Sequence, residues 1–214
     1  MIRAVLWDFG GVLTTSPFDA FNRYEAERGI PKDFIRGINA TNPEQNAWAK
    51  LESSAISLAE FDVAFEAESR AAGHSIRGQA VIDLLSGDLR PRMVSVLTQC
   101  KQRFKVACLT NNVRSGEGPG MARSSERAAQ MQRVMDLFDV VIESSKEGIR
   151  KPNPQFYLRA CERLDVEPQH AVFLDDLGIN LKPAKDLGMR TIKVTSENQA
   201  IADLAKLLSI DFKI

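Results

Sequence analysis

The chain has 214 residues, and its 28 lysines and arginines are balanced by 28 aspartates and glutamates. The lack of a basic excess argues against a nucleic-acid-binding protein, and a hydrophobic content of 44% argues against a disordered chain. No apolar run approaches the ~20 residues that span a membrane, and the apolar stretch before Asp8 is too short for a signal peptide.

Five short apolar runs predict β-strands, because each has the length and composition of a buried strand. The runs cover residues 2–9, 104–110, 139–143, 171–174 and 191–194. Helical patterns accompany them at residues 91–103, 124–138, 154–164, 180–187 and 198–208. This alternation predicts an α/β protein whose parallel sheet is flanked by helices on both faces.

The stretch after the first strand has a different character, since it contains helical patterns and no convincing strand. The patterns cover residues 18–28, 31–40, 43–51, 58–72 and 77–85. We therefore predict a discontinuous core domain of residues 1–16 and 88–214, interrupted by an all-helical cap segment of residues 17–87. A helical insert at the edge of the sheet where ligands bind is well placed to act as a lid.

Polar residues stand at or just after the ends of the predicted strands. Asp8 follows the first run, Thr110 ends the second, and Asp175 and Asp176 follow the fourth. Lys151 lies in the loop after the third run. Each residue alone is as readily a cap, a turn residue or a solvated charge. Because parallel strands bring their carboxyl ends to one edge, we expect the five side chains to converge there.

Such a cluster has a definite electrostatic character. Three neighbouring carboxylates raise one another's pKa, and a divalent cation relieves the repulsion. Mg²⁺ prefers oxygen ligands of this kind. With Mg²⁺ and Lys151 the cluster is close to neutral and can accept a phosphate dianion, and one carboxylate can then act as a nucleophile.

Four motifs in this order resemble those of the haloacid dehalogenase (HAD) superfamily. They are Asp8 to Leu13, Leu109 to Asn112, Gly148 to Pro152 and Phe173 to Asp176. Within the superfamily the sequence is most similar to the phosphatase domain found at the N-terminus of soluble epoxide hydrolase. The resemblance covers nearly the whole chain and implies a Rossmann-like core with an inserted helical cap.

The resemblance also implies roles in handling a phosphoryl group. Asp8 would be the nucleophile, forming an aspartyl-phosphate. Thr110 and Asn111 would contact the phosphoryl oxygens. Lys151 would stabilise the phosphoryl charge and orient Asp8.

A Mg²⁺ site is implied next to these residues. Asp8, the backbone carbonyl of Gly10 and Asp176 would be the protein ligands. Asp175 would support Lys151. Asn180, four residues after Asp176, would hold a metal-bound water.

One position departs from the usual pattern of the superfamily. Motif one of most family phosphatases reads Asp-x-Asp, and its second aspartate is the general acid and base, whereas this chain has Gly10 there. General acid–base catalysis is worth ~10²–10⁴-fold in rate. The chain could act on phosphates with an easier leaving group, such as sugar 1-phosphates or acyl phosphates, could take the proton from the cap or a water, or could bind phosphorylated ligands with little turnover.

Dehalogenation is a further alternative, since a halide leaves without a proton. The dehalogenases of the superfamily have an aromatic residue at the position of Gly10 and lack the acidic pair of motif four. Asp175 and Asp176 therefore favour Mg²⁺ and phosphate. The substrate expected is a small phosphorylated metabolite, and the protein is expected to be a monomer or homodimer.

The remaining features have weaker assignments. Arg36, Asn46 and Trp48 of the cap segment could face the substrate, although a surface or core position is the simpler interpretation. We assign no role to His74 or His170.

The glycine-rich residues 115–120 lack the spacing of a phosphate-binding loop and are interpreted as a flexible loop. The three cysteines lack metal-like spacing, which favours reduced, buried thiols in a cytoplasmic protein.

Overall fold

The computed structural model describes residues 1–113 and 124–213. Its centre is a parallel sheet with the strand order β3-β2-β1-β4-β5. The strands are β1 (Ala4–Trp7), β2 (Lys105–Thr110), β3 (Val140–Glu143), β4 (Ala171–Asp175) and β5 (Arg190–Lys193). In the register of the sheet, Trp7 of β1 lies beside Cys108 of β2 and Leu174 of β4. The predicted α/β fold is confirmed.

Helices surround this sheet and form the cap segment. The cap segment contains α1 (Pro17–Glu27), α2 (Phe34–Ala40), α3 (Ala47–Glu52), α4 (Leu58–Ala71) and α5 (Gly78–Ile82). The rest of the described chain contains α6 (Pro91–Lys101), α7 (Ser125–Met135), α8 (Ser144–Glu147), α9 (Pro154–Leu164), α10 (Gly178–Asp186) and α11 (Glu197–Leu208), with a 3₁₀ turn at Pro168–His170. None of the described helices is both long and apolar enough to span a membrane.

The two faces of the sheet have separate hydrophobic cores. Val5 and Trp7 pack with α6, α7 and α11 on one face, and Ala4 and Leu6 pack with α9 and α10 on the other. This separation follows from the alternation of side chains along β1. All four residues are fully buried, which explains why the first strand reads as a continuous apolar run.

The cap segment has a third core of its own. Phe21 of α1, Ile35 of α2 and Phe61 and Phe65 of α4 are buried in it. The chain leaves and re-enters the sheet region at one place, where Thr14 and Leu89 form an antiparallel bridge. The domain boundaries at residues 16/17 and 87/88 stay predictions.

Several helices are shorter than their sequence patterns. The predicted helix at 31–40 begins at Phe34, because Asp33 before it adopts a left-handed conformation. The predicted helix at 43–51 begins at Ala47, because the side chain of Asn46 accepts a hydrogen bond from the Ala49 N–H and caps it. Helix α8 was not predicted, since its four residues are too few for a periodic pattern.

The cysteines and histidines have the surroundings of residues that stabilise the fold. The three cysteines are buried free thiols, as predicted, and burial raises the pKa of Cys100 to about 12. His74 packs edge-on against Phe34, and His170 ends the 3₁₀ turn before β4. The glycine-rich residues 115–120 lie outside the described residues.

Candidate active site

The predicted site residues meet at the carboxyl edge of the sheet. Asp8 directly follows β1, Thr110 is the last residue of β2, and Asp175 is the last residue of β4. Lys151 lies in the loop between α8 and α9. Because β1 is paired with both β2 and β4, these strand ends are neighbours, and all four side chains are buried.

Lys151 links two of the carboxylates. Its Nζ lies 2.9 Å from Oδ1 of Asp8 and donates a 2.7 Å hydrogen bond to Oδ2 of Asp175. Burial lowers the pKa of the Lys151 ammonium, but the charges and hydrogen bonds of Asp175 and Asp8 outweigh burial and raise the pKa above its usual range. Lys151 is therefore a charged ammonium at neutral pH.

The backbone of Lys151 is fixed by Asn111. The side-chain oxygen of Asn111 accepts a 2.8 Å hydrogen bond from the Lys151 N–H, and its Nδ2 donates to the Lys151 carbonyl over 3.0 Å. A side-chain amide that satisfies both polar groups of one residue holds it in a single orientation. Asn111 thus positions Lys151, and its contact with the phosphoryl group stays a prediction.

Asp175 is held from three directions. Besides Lys151, it accepts hydrogen bonds from the backbone N–H of Leu177 and from Nδ2 of Asn180, which lies 3.1 Å and 3.0 Å from its two oxygens. The Tyr157 hydroxyl donates to the Asn180 carbonyl. The structure therefore brings Asn180 to Asp175, and an additional contact of Asn180 with a metal-bound water stays a prediction.

The third carboxylate belongs to Asp176. Ligand oxygens of Asp8, Asp175 and Asp176 lie within 4.8 Å of one another, as expected of a group that could hold a metal ion. Burial, then the charge of Asp175, raises the pKa of Asp176 to about 6. Burial is also the largest cause that raises the pKa of Asp8 well above its ordinary value. Burial thus favours the neutral forms of Asp8 and Asp176, while the charge of Lys151 acts in the opposite direction on both.

The backbone beside Asp176 fits this arrangement. A Cβ atom at Gly11 would lie 2.3 Å from Oδ2 of Asp176, and Gly11 has a positive φ of 75°. Only glycine therefore lets the Asp176 carboxylate come this close to the chain. Crowded oxygen donors with incomplete charge compensation form a donor set that suits a hard divalent cation.

Gly10 has different surroundings. A Cβ atom built there meets nothing within 4 Å, and its φ is not in the left-handed region. Gly10 also lines the same cavity as Asp8 and Lys151. The site therefore has room for a side chain at the position where an acid is expected but a glycine stands.

The cavity has a volume of about 390 Å³ and lies between the sheet edge and the cap segment. From the sheet edge it is lined by Asp8, Gly10, Thr110, Asn111, Lys151 and Asp176. From the cap segment it is lined by Phe18, Phe21, Arg36, Trp48, Glu52 and Leu85, among others. Arg36 and Trp48 thus line the cavity, although a surface or core position was the simpler interpretation of each; Trp48 also packs against the core of the cap segment. Asn46 does not line it, because its side chain caps α3 and donates to the carbonyls of Asn39 and Thr41.

A model of the haloacid dehalogenase-like hydrolase family matches residues 2–188. The chain belongs to the HAD-like hydrolases. The four motifs and the strand ends that carry them lie inside the matched region.

Curated relatives of this HAD chain include much longer proteins. Mouse acyl-CoA dehydrogenase family member 10 is 34% identical over 96% of this chain and 19% of its own length. Mouse bifunctional epoxide hydrolase 2 is 30% identical over 99% of this chain and 40% of its own length. The chain thus spans less than half of either protein. The resemblance to the soluble epoxide hydrolase group is confirmed.

Other HAD relatives match over almost their full length. Sesquiterpene phosphatase astK of Aspergillus oryzae is 26% identical over 96% of both proteins. A HAD-like hydrolase structure from Porphyromonas gingivalis superposes with a TM-score of 0.67 at 23% identity, covering 99% of this chain and 100% of that one. A Bacteroides thetaiotaomicron HAD enzyme solved with magnesium and inorganic phosphate has a TM-score of 0.59 at 18% identity, over 92% and 96% of the two chains. The structures establish the shared fold.

Sequence reasoning missed three charged residues at this HAD site. Glu52 of α3 and Arg150, next to Lys151, form an ion pair of 2.9 Å at the cavity wall. Arg90 donates a 2.8 Å hydrogen bond to the carbonyl of Gly11. Arg150 could have been noticed from its neighbour Lys151, but no local signal connects it with a glutamate 98 residues away.

Proposed function

We propose that the chain is a Mg²⁺-dependent phosphatase that hydrolyses a small phosphorylated metabolite through an aspartyl-phosphate on Asp8. The observation that carries this proposal is the position of the Lys151 ammonium, 2.9 Å from Asp8 and 2.7 Å from Asp175 at the wall of the cavity between the sheet edge and the cap segment. A buried cation beside a carboxylate at the carboxyl edge of a parallel sheet is suited to binding a phosphoryl dianion.

Each residue has a role that follows from its contacts. Lys151 and the backbone N–H of Phe9 both contact Oδ1 of Asp8, so we assign the attack to Oδ2. Thr110 and Lys151 line the cavity beside Asp8 and would hold the phosphoryl oxygens. Asn111 adds its contact with the Lys151 backbone.

Mg²⁺ would be held by Asp8, Asp176 and the carbonyl of Gly10. Asp175 is less suited to direct ligation, because Lys151, Asn180 and a backbone N–H already occupy its oxygens. When bound, Mg²⁺ would offset the negative charge of the carboxylates and the phosphoryl group. Lys151 contributes the remaining positive charge.

The reaction would proceed in two displacements at phosphorus. In the first, an oxygen of Asp8 bonds to phosphorus, the bond from phosphorus to the leaving oxygen breaks, and that oxygen departs with the electron pair. In the second, water bonds to phosphorus and the bond to Asp8 breaks, so that inorganic phosphate is released and the Asp8 carboxylate is restored.

The glycine at position 10 restricts the classes of substrate that this two-step reaction can use. Glycine cannot protonate the leaving oxygen, so leaving groups that depart without strong acid assistance are favoured. Sugar 1-phosphates and acyl phosphates have such leaving groups. We therefore place the substrate in one of these two classes.

The relatives support a phosphatase. The Aspergillus oryzae protein is named as a phosphatase and matches over nearly its whole length. The Bacteroides thetaiotaomicron enzyme was crystallised with magnesium and inorganic phosphate. Both facts concern those proteins, and they motivate the same test for this one.

The test is phosphate release from a panel of phosphorylated metabolites that includes acetyl phosphate and sugar 1-phosphates, with Mg²⁺ or with EDTA. We expect release with Mg²⁺, loss of release with EDTA, and no release from Asp8→Asn. Retained turnover in Asp8→Asn would remove Asp8 from the role of nucleophile. The control is Asp211→Asn, which removes an exposed carboxylate from the end of the chain.

The second candidate is a protein that binds a phosphorylated metabolite with little or no turnover. Gly10 favours it, because the usual acid side chain is absent while the other site residues remain in place. This candidate predicts Mg²⁺-dependent binding of the metabolites without phosphate release. A third outcome, halide release from haloacids that persists in EDTA, would identify a dehalogenase-like enzyme.

A further inference from the structure

The cap segment contacts the loop of Lys151 through one buried ion pair. Arg150 donates from Nη1 to Oε2 of Glu52 over 2.9 Å and from Nη2 to the carbonyl of Pro43 over 3.1 Å. The exposed fractions are 19% for the Arg150 side chain and 9% for that of Glu52. A single guanidinium thus joins two parts of the cap segment to the sheet edge.

A second contact lies close by. The hydroxyl of Ser54, two residues after Glu52, donates a 2.9 Å hydrogen bond to the carbonyl of Ser145 in α8. Helix α3 is therefore tied to both α8 and the loop that follows α8. The end of α3 and the start of the Lys151 loop cannot shift independently while these bonds persist.

The Glu52–Arg150 ion pair is connected to the candidate active site through neighbouring residues. Arg150 precedes Lys151 in the chain, and both backbone polar groups of Lys151 are bonded to the Asn111 side chain. The same Asn111 Nδ2 lies 3.5 Å from Oε2 of Glu52, a long and weak contact. Glu52 thus contacts Arg150, which precedes Lys151 in the chain, and lies near Asn111, which holds the Lys151 backbone.

Because the charges of Glu52 and Arg150 are largely buried, each side chain depends on the other to keep its position. Burial raises the pKa of Glu52, and the charge of Arg150 acts in the opposite direction. Removing Glu52 would leave the largely buried Arg150 guanidinium without its charge partner, and the Arg150 side chain would then be free to turn towards water. Movement of Arg150 would carry the adjacent Lys151 with it.

We infer that Glu52 is a positioning residue: through Arg150 and Asn111 it holds the Lys151 loop in the geometry that brings the ammonium to Asp8. The catalytic consequence of this inference rests on the proposed function. Because Glu52 belongs to the cap segment, one set of contacts governs both the placement of α3 over the cavity and the placement of Lys151.

The kinetic test uses Glu52→Gln, which keeps the shape of the side chain and removes its charge. With acetyl phosphate, kcat should fall about tenfold to a hundredfold, as for a small misplacement of a catalytic group, while KM stays within about twofold. Glu52→Asp, which keeps the charge, should recover part of the loss. The matched control is Glu27→Gln, which removes an exposed carboxylate from α1 of the same cap segment.

A second readout does not depend on activity. Amide hydrogen exchange of the peptide covering residues 148–156 should be faster in Glu52→Gln and in Arg150→Gln than in the wild type, and unchanged in Glu27→Gln. The double variant Glu52→Gln/Arg150→Gln should exchange no faster than the single variants, because the two residues act as one unit. If Glu52→Gln fails to fold, Glu52→Asp and Arg150→Lys are compared in the same way.

The outcomes separate this inference from the proposed function. If the wild type releases no phosphate, the proposed function fails, and the exchange measurement alone decides whether Glu52 holds the loop. If Glu52→Gln lowers Tm but leaves both exchange and kcat at wild-type values, Glu52 is only a structural residue and the inference is wrong. A rise in KM for large substrates alone, with normal exchange, would instead make Glu52 a substrate contact and overturn it.

Discussion

The Nζ atom of Lys151 lies 2.9 Å from Oδ1 of Asp8. The two residues are 143 positions apart in the chain: Asp8 directly follows β1, and Lys151 lies in the loop between α8 and α9. Their contact makes the electrostatic state of each depend on the other, because burial alone would favour the neutral form of both side chains. Stability and chemistry at this site are therefore coupled, and both can be tested.

Replacing Lys151 by methionine should destabilise the fold as well as the site. Lys151→Met leaves Asp8 and Asp175 buried without their shared cation, and loss of one partner of a buried ion pair typically costs about 3–5 kcal/mol. We expect the free energy of unfolding, measured by denaturant titration without metal, to fall by about this amount. Lys32→Met, which removes an exposed lysine, is the control. Equal effects of the two variants would contradict the coupling described here.

Replacing Gly10 by aspartate should add an acid without straining the chain. A Cβ atom at Gly10 meets nothing within 4 Å and its backbone conformation suits any residue. If the acid is simply missing, Gly10→Asp should raise kcat for alkyl phosphates, up to the ~10²–10⁴-fold typical of general acid–base catalysis. Acyl phosphates should gain little, because their leaving group needs no acid. Unchanged activity towards alkyl phosphates would indicate that another group already supplies the proton.

Replacing Gly11 by alanine should disturb the proposed Mg²⁺ site. Gly11→Ala would place a Cβ atom 2.3 Å from Oδ2 of Asp176 in a backbone conformation with positive φ, so the Asp176 carboxylate must move. We expect weaker Mg²⁺ binding by calorimetry and a lower Tm. Gly29→Ala, at a position with a similar positive φ but nothing within 4 Å of the added Cβ atom, is the matched control; it should lower Tm through backbone strain and leave Mg²⁺ binding unchanged. Wild-type Mg²⁺ affinity in Gly11→Ala would show that Asp176 is not a ligand.

Mg²⁺ should stabilise the protein more at neutral than at acidic pH. The pKa of Asp176 is raised from 3.8 to about 6, by burial first and then by the charge of Asp175. A raised carboxyl pKa means that the folded state binds the extra proton, so metal-free stability falls as pH rises from about 4 through about 6. Mg²⁺ relieves that penalty. The rise in Tm on adding Mg²⁺ should therefore be larger at about pH 7.5 than at about pH 5.

Asp176→Asn provides the control for that pH dependence. Without the third carboxylate, the metal-free Tm at about pH 7.5 should rise, and added Mg²⁺ should no longer shift it. Asp211→Asn, far along the chain and exposed, should behave as the wild type. A Mg²⁺-induced shift that is equal at both pH values would argue against Asp176 as the titrating ligand.

The positions of three site residues were predictable because each stands at the end of a recognisable strand, whereas Lys151 lies beyond the unpredicted helix α8. Asp8, Thr110 and Asp175 directly follow or end apolar runs, and parallel pairing places such ends together. The helix boundaries were less predictable. Asp33 and Asn46 shorten α2 and α3 through a backbone conformation and a side-chain cap, and neither effect is visible in hydrophobic periodicity.

The sequence by itself determined the α/β fold, the insertion of a helical segment after the first strand, and the presence of polar residues at the strand ends. These follow from local information, namely the lengths of apolar runs and the residues that end them. Only the tertiary structure decided that Asn180 donates to Asp175, that Gly10 faces open space, and that Glu52 meets Arg150. Such contacts depend on how separate elements pack, and no local pattern encodes the distance between two side chains that the fold brings together.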